Sequence, residues 1–131
     1  MAMSGRVLLD TNIIIALFAQ DSVVKNRLTA IDEVFIPAEA LGKLFFGAHK
    51  SSKVEENLQR IRSFAAANVI LACNLETAQH YGRTKNTLRE IGRPIPENDI
   101  WIAAIALQNQ LTVVTRDAHF SEIPSLQLEL W

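Results

Sequence analysis

Apolar residues in this chain fall into short unbroken runs that alternate with longer stripes at helical spacing. Arg6-Val7-Leu8-Leu9 leads straight into Asp10, and Val34-Phe35-Ile36, Val69-Ile70-Leu71 and Leu111-Thr112-Val113-Val114-Thr115 are runs of the same kind. Runs this short, apolar at odd and even positions alike, are what strands covered on both faces require, so four strands are predicted there. Between them the period becomes helical. Residues 12–18 and 21–31 predict two helices, the second with Val24, Leu28 and Ile31 on one side. Pro37 opens a third, on which Leu41, Leu44, Phe45 and Ala48 share a face and which ends near His49. Ser51-Ser52 predicts the cap of a fourth, carrying Val54, Leu58, Ile61 and Phe64. Asn74 predicts the cap of a long fifth through Ala78, Tyr81, Leu88 and Ile91, closed by Gly92. After the stiff loop Arg93-Pro94-Ile95-Pro96, a sixth helix holds Ile100, Ile102, Ala103, Ala106 and Leu107, and residues 126–130 alternate like an edge strand. Strands separated by helices predict an α/β sandwich around a mostly parallel sheet.

Composition narrows the class. The 131 residues carry 13 Lys plus Arg, 14 Asp plus Glu and one Cys, which excludes disulfide scaffolds and cysteine-rich zinc modules. One domain over residues 1–131 is expected, without repeats or linkers. The longest charge-free stretch, residues 100–115, is interrupted by Gln108, Asn109 and Gln110 and is too short and polar to span a bilayer. The start of the sequence reaches Asp10 after only a few apolar residues, which leaves no signal-peptide core and predicts a cytoplasmic location. A formal net charge of −1 gives no global attraction for polyanions. A nucleic acid would have to be held by a local basic patch or by metal.

In open parallel sheets, ligands gather beyond the carboxyl ends of the strands. Asp10 closes the first predicted strand, Asp117 lies two residues past the fourth, and Asp99 falls in the first turn of the helix feeding that strand. Three carboxylates at one edge repel unless cations neutralise them, and hard oxygen ligands suit magnesium or manganese. Such an ion lowers the pKa of a bound water and stabilises the charge that develops on a phosphodiester, so phosphodiester hydrolysis is the chemistry expected. Taken singly, Asp10 can cap a helix, Asp99 can complement a helix dipole and Asp117 can start a turn. Thr115 and Asn12 can support the carboxylates or simply satisfy nearby backbone.

Four segments carry a resemblance: Leu8-Leu9-Asp10-Thr11-Asn12, Leu44-Phe45-Phe46-Gly47-Ala48, Pro96-Glu97-Asn98-Asp99-Ile100-Trp101-Ile102-Ala103-Ala104 and Thr115-Arg116-Asp117-Ala118-His119-Phe120. In this order and spacing the chain resembles the PIN-domain family, specifically toxins of the VapC type. The resemblance implies a PIN-like three-layer α/β/α sandwich with a mostly parallel central sheet. It implies a magnesium- or manganese-dependent endoribonuclease acting on structured RNA such as tRNA or rRNA. It also implies a VapB-type antitoxin whose C-terminal segment blocks the site, and a homodimer. Carried over by position, Asp10, Asp99 and Asp117 match the family's metal-binding acids, and Thr115 matches the hydroxyl residue before the last one.

The departure is Lys43. Relatives usually read Glu-Leu-x-x-Gly where this chain reads Lys43-Leu44-Phe45-Phe46-Gly47. An ammonium in place of a carboxylate removes two units of negative charge from the cluster, so attraction for a divalent ion falls. The chain is then a nuclease with a damaged catalytic set, and a tethered ammonium among the acids is a monovalent stand-in that cannot activate water. Alternatively Lys43 is a solvated lysine paired with Glu39 one turn earlier, a contact worth about 0.3 kcal/mol. Glu39 is also the acid placed to substitute for the missing one. A non-catalytic PIN module that binds antitoxin or RNA is the competing reading of the whole chain. A receiver- or phosphatase-like domain with Asp10 as phospho-acceptor lacks the acidic neighbour and the later lysine that it needs.

For gripping RNA, Arg116 beside Asp117 is the best single candidate, followed by Arg89 and Arg93 with Arg83 and Lys85; Lys50, Lys53, Arg60 and Arg62 line a second helix. Solvated helix faces carry such charges too, and the sequence interleaves no aromatics among them. His49, His80 and His119 share no ligand spacing, and only His119 falls near the acidic edge. Cys73, after a buried run, is expected to be an inert core thiol. Phe45 and Phe46 with Leu41 and Leu44 exceed what one helix face buries, which leaves some of them for a partner.

Overall fold

The computed structural model describes residues 5–131. Strands β1 (Arg6–Leu9), β2 (Glu33–Pro37), β3 (Val69–Leu71), β4 (Thr112–Thr115) and β5 (Leu128–Leu130) form one sheet in the order β3-β2-β1-β4-β5, every neighbouring pair parallel. Six helices, among the described residues, connect and cover them: α1 (Thr11–Phe18), α2 (Ser22–Leu28), α3 (Ala38–His49), α4 (Val54–Ala66), α5 (Leu75–Glu90) and α6 (Glu97–Asn109). A short 3-10 turn, Ala118–Glu122, comes after β4.

The pleat sends alternate residues of β1 and β4 into two separate cores. Val7, Leu9 and Val114 pack with Ile13, Ile14, Val24, Leu44 and Ile61 from α1 to α4. Leu8 and Val113 pack on the other face with Leu88, Ile102, Ile105 and Phe120. This is why the strand runs are apolar throughout, and it makes the molecule a three-layer α/β/α sandwich. Helix α6 lies in the second layer with Ile100 and all of Ile102 to Ala106 buried, and three alanines there let it sit close to its neighbours. Because β2 lies inside the sheet and not at its edge, the strand order differs from that of receiver-like folds. The receiver form of the phospho-acceptor reading of Asp10 loses its scaffold.

Several local expectations change. Ser51-Ser52 does not cap α4, whose N-cap position is Lys53 without a side-chain bond. Instead the Ser51 hydroxyl donates to the Ala48 carbonyl and accepts from Asn57 Nδ2, closing the end of α3. Asn74 does cap α5, in a reciprocal capping box with Thr77. The face α5 buries is Thr77, Thr84 and Leu88, whereas Ala78 and Ile91 point to solvent. Thr77 is tolerated inside because its hydroxyl accepts the Asn74 amide and donates to Gln108 Oε1. Gly92 takes a left-handed φ of 67° after α5, as a helix-ending glycine should. Among the described residues no helix is long and apolar enough to cross a membrane.

Candidate metal centre

The direction in which successive strands are added across the sheet reverses between β1 and β4: β2 and β3 extend to one side and β5 to the other. The carboxyl ends of these two strands therefore border the crevice where such folds place ligands. Asp10 comes directly after β1, its own amide donating to the Val114 carbonyl at 3.0 Å, and Thr115 ends β4. Asp10 is buried and both its oxygens are occupied. Oδ1 accepts the Thr11 amide at 2.8 Å, which makes Asp10 the N-cap of α1, and Oδ2 accepts the Thr115 hydroxyl at 2.7 Å. The same hydroxyl accepts from Asn12 Nδ2 at 3.3 Å and from the Asp117 amide at 3.0 Å, while Asn12 Oδ1 takes the Arg116 amide. Thr115 and Asn12 thus tie the end of β4 to the start of α1. Burial pushes the Asp10 carboxyl above its ordinary pKa; the Thr115 hydroxyl and the Thr11 amide pull it back, the Asp99 charge pushes it up, and the Lys43 ammonium pulls it down least of all.

The other two acids meet through a residue that the sequence pattern leaves out of the site. Asp99, buried in the first turn of α6, has Oδ2 at 2.5 Å from His119 Nε2. The opposite ring nitrogen, Nδ1, lies 3.3 Å from Asp117 Oδ1. One ligand atom from each of Asp99, Asp117 and His119 lies within 4.8 Å of the others. His119 sits in the 3-10 turn after β4, held by its neighbour Phe120, which is fully buried and whose ring stacks on the imidazole at 5.2 Å. The signal available in the sequence is a D-x-H spacing just past a buried strand, anchored by an apolar residue; it has neither helical nor strand period.

Helix α3 supplies the remaining wall. Lys43 is exposed and makes no hydrogen bond or ion pair among the described residues, and its pairing with Glu39 is not formed. Glu39 turns instead to Cys73, whose Sγ donates to Oε2 at 2.9 Å, while Oε1 is buried without a partner. Cys73 is therefore not a core thiol. The residue is exposed, at the end of the outermost strand, and partial burial of the sulfur together with the Glu39 carboxylate pushes its pKa up to about 12. It stays a protonated, unreactive thiol for that reason. A groove of about 330 Å³ between α1, α3 and α4 is lined by Ile15, Phe18, Leu44 and Ile61 together with Thr11 and Lys43. Phe45 joins the core beside it, whereas Phe46 is 64% exposed.

The candidate RNA-gripping cations are mostly engaged. Arg116 pairs with Asp21 at 2.9 Å, across from the α2 start that Asp21 caps. Arg93 faces Glu122 at 3.8 Å, Arg89 donates to Asn86 at 2.6 Å and Lys85 pairs with Glu97 at 2.7 Å. Lys85 and Arg89 line a larger cavity of about 600 Å³ beside α5, to which none of the three aspartates belongs. Contrary to the expectation of no interleaved aromatics, rings do lie beside these charges: Lys50 over Phe46 and Lys85 over Tyr81, each one helical turn away, and Arg60 over Phe18 from α1.

The donor chemistry fits a divalent cation. Two carboxylates and an imidazole converge, and a third carboxylate, Asp10, is close enough to feel the Asp99 charge. The Asp10 oxygens each keep a lone pair beyond the bond they accept.

Comparison with known proteins agrees with this geometry. The PIN domain family model matches residues 7–126. "Ribonuclease VapC1" of Haemophilus influenzae is 32% identical over 129 residues, covering 95% of this chain and 96% of that protein. "Ribonuclease VapC2" of Rickettsia felis is 31% identical at the same coverage. In the VapBC2 structure from Rickettsia felis bound to a DNA fragment from the promoter, one chain matches with a TM-score of 0.88 at 29% identity, covering 95% of this chain and 98% of that one. The DNA-bound VapBC of Salmonella typhimurium gives 0.89 at 29% identity, covering 98% and 99%. Sequence motifs, sheet order and acid cluster all converge: the chain belongs to the PIN-domain family, as a member of its VapC type.

Proposed function

We propose that this chain is a divalent-metal-dependent endoribonuclease of a toxin–antitoxin pair, with its cleavage limited by Lys43. The observation that carries the reading is the convergence of Asp99, Asp117 and His119 at the switch point of the sheet, beside an Asp10 fixed by Thr115. Asp10, Asp99 and Asp117 would hold magnesium or manganese, which when bound supplies a water of lowered pKa and charge stabilisation for the phosphodiester. Thr115 holds the Asp10 carboxylate in place, and Asn12 fixes the hydroxyl that does so. Arg89, Arg93 and Lys85 are the cations offered to an RNA backbone on the α5 side; Arg116 reaches it only by leaving Asp21. The groove between α1, α3 and α4 suits the blocking segment of a VapB-type antitoxin, because its apolar wall runs up to Thr11 and Lys43 at the site itself.

By the family pattern Lys43 takes the place of an acid, and its exposed ammonium, unpaired among the described residues, makes the pocket less attractive to a doubly charged ion. The test is calorimetric titration with magnesium and with manganese of the chain and of Lys43→Glu, with cleavage of bulk tRNA followed on the same samples. Lys43→Glu is expected to bind at least about tenfold tighter and to cut at least about tenfold faster, since a nearby opposite charge is worth more than about 1.4 kcal/mol in a partly buried site. If neither protein cuts RNA with either ion, the nuclease reading fails and the non-catalytic binding module takes its place. Equal activity of the two removes Lys43 as the limiting residue.

A further inference from the structure

His119 stands between two carboxylates, and a neutral ring cannot serve both. A neutral imidazole carries one ring proton, so it donates to one acceptor and turns a lone pair toward the other. The short contact, 2.5 Å from Nε2, is to Asp99, whose side chain is only 7% exposed. The long one, 3.3 Å from Nδ1, is to Asp117, whose side chain is 51% exposed. With the proton on Nε2, the Nδ1 lone pair and an Asp117 oxygen face each other and repel unless a metal ion or a second ring proton joins them. An imidazole whose far nitrogen donates to a buried carboxylate is the arrangement by which proteins orient a metal-binding histidine. The stacked Phe120 ring and the 3-10 turn hold it there.

We propose that His119 is a direct nitrogen ligand, through Nδ1, of the divalent ion held with Asp117, while Asp99 takes the opposite ring proton and orients the imidazole, and that this nitrogen makes the site select manganese over magnesium. The inference rests on the metal-dependent reading above and refines its ligand set, with Asp99 acting on the ion through His119. Magnesium prefers an all-oxygen shell with several waters, whereas manganese accepts imidazole alongside carboxylate. Lys43 sharpens the difference. It weakens the purely electrostatic hold on both ions, and the nitrogen bond returns affinity only to the ion that accepts it.

The experiment is pulsed electron paramagnetic resonance of the manganese-loaded full chain, read for coupling to a ligand nitrogen, with calorimetric titration of manganese and magnesium on the chain and on His119→Ala. A resolved nitrogen coupling is expected, with manganese bound at least about tenfold tighter than magnesium. In His119→Ala the coupling vanishes and manganese affinity drops about tenfold, with magnesium affinity changed by about twofold or less. The coupling is measured on the unaltered chain, so the result stands even if the variant folds poorly. Manganese bound without nitrogen coupling overturns the proposal and leaves an all-oxygen site, with the metal-dependent reading intact. Failure of the chain to bind either ion overturns both.

Discussion

On the strand side of the site, both oxygens of Asp10 and every bonding capacity of the Thr115 hydroxyl are used, whereas on the α3 side Lys43 bonds to none of the described residues and Glu39 Oε1 has no partner among them. The strand side is set by main-chain position: Asp10 and Thr115 lie at the ends of adjacent strands whose register fixes them within one hydrogen bond of each other. The α3 side is an exposed helix face on a neighbouring layer. A charge can be inverted at such a position with a folding cost of about 0.5 kcal/mol or less. The chain can therefore lose chemistry on one wall without losing structure on the other, so an intact PIN fold says little about how active its site is.

Three changes probe this division. The largest effect is expected on the helix side, where Ile15, 54% exposed in the groove, becomes a buried apolar contact once an antitoxin segment lies there. Ile15→Asp should weaken antitoxin binding by about 3 kcal/mol, roughly a hundredfold, with ion affinity unchanged, as read by calorimetry of both. Unchanged antitoxin affinity would put the partner elsewhere. Next, Thr115→Val keeps the shape of the strand end but strands Asp10 Oδ2, Asn12 Nδ2 and the Asp117 amide. It should cost about 2 kcal/mol in denaturant unfolding and roughly tenfold in ion affinity. A loss of stability alone would mean that the hydroxyl does not organise the site. The smallest effect belongs to Asp10→Asn. A carboxyl whose folded pKa is raised adds stability only below its unfolded pKa and loses it as pH rises through the folded value, so ionised Asp10 costs the fold at neutral pH. In chelator, the amide removes that charge but sets an N–H group against the Thr11 amide or the Thr115 hydroxyl, so the melting temperature at pH 7 should move less than in Thr115→Val, and the variant should lose ground against the unaltered chain as the pH is lowered into the carboxylate range. A difference that does not depend on pH would assign it to hydrogen bonding and packing alone.

Whether a residue can be placed from the sequence depends on whether it announces itself by period or by position. The strands are legible because both faces are buried, and Asn74 and Gly92 because capping has its own residue chemistry. Asp10, Asp99 and Asp117 can be placed at one edge because each adjoins a predicted element end. Cys73 is misplaced by its sequence neighbours because they do not give strand order: β3 lies at the rim of the sheet, so the residues beyond its end meet solvent. Ser51 resembles a helix-starting cap because serine serves either end of a break, and only the fold shows that it closes α3. His119 escapes because its turn carries no repeating pattern and its partner Asp99 is 20 residues away.

The bond between Asp10 and Thr115 joins positions 105 residues apart. During synthesis the first acid is therefore made 105 residues before the hydroxyl that seats it. Until β4 docks beside β1, Asp10 has no fixed orientation, and Asp117 and His119 have not arrived. Loop closure over such a span comes late and is slow compared with local helix formation. A ribosome can therefore carry everything from β1 to α6 without carrying the acid cluster, and the site is complete only once β4 and the turn that follows it have been made and docked.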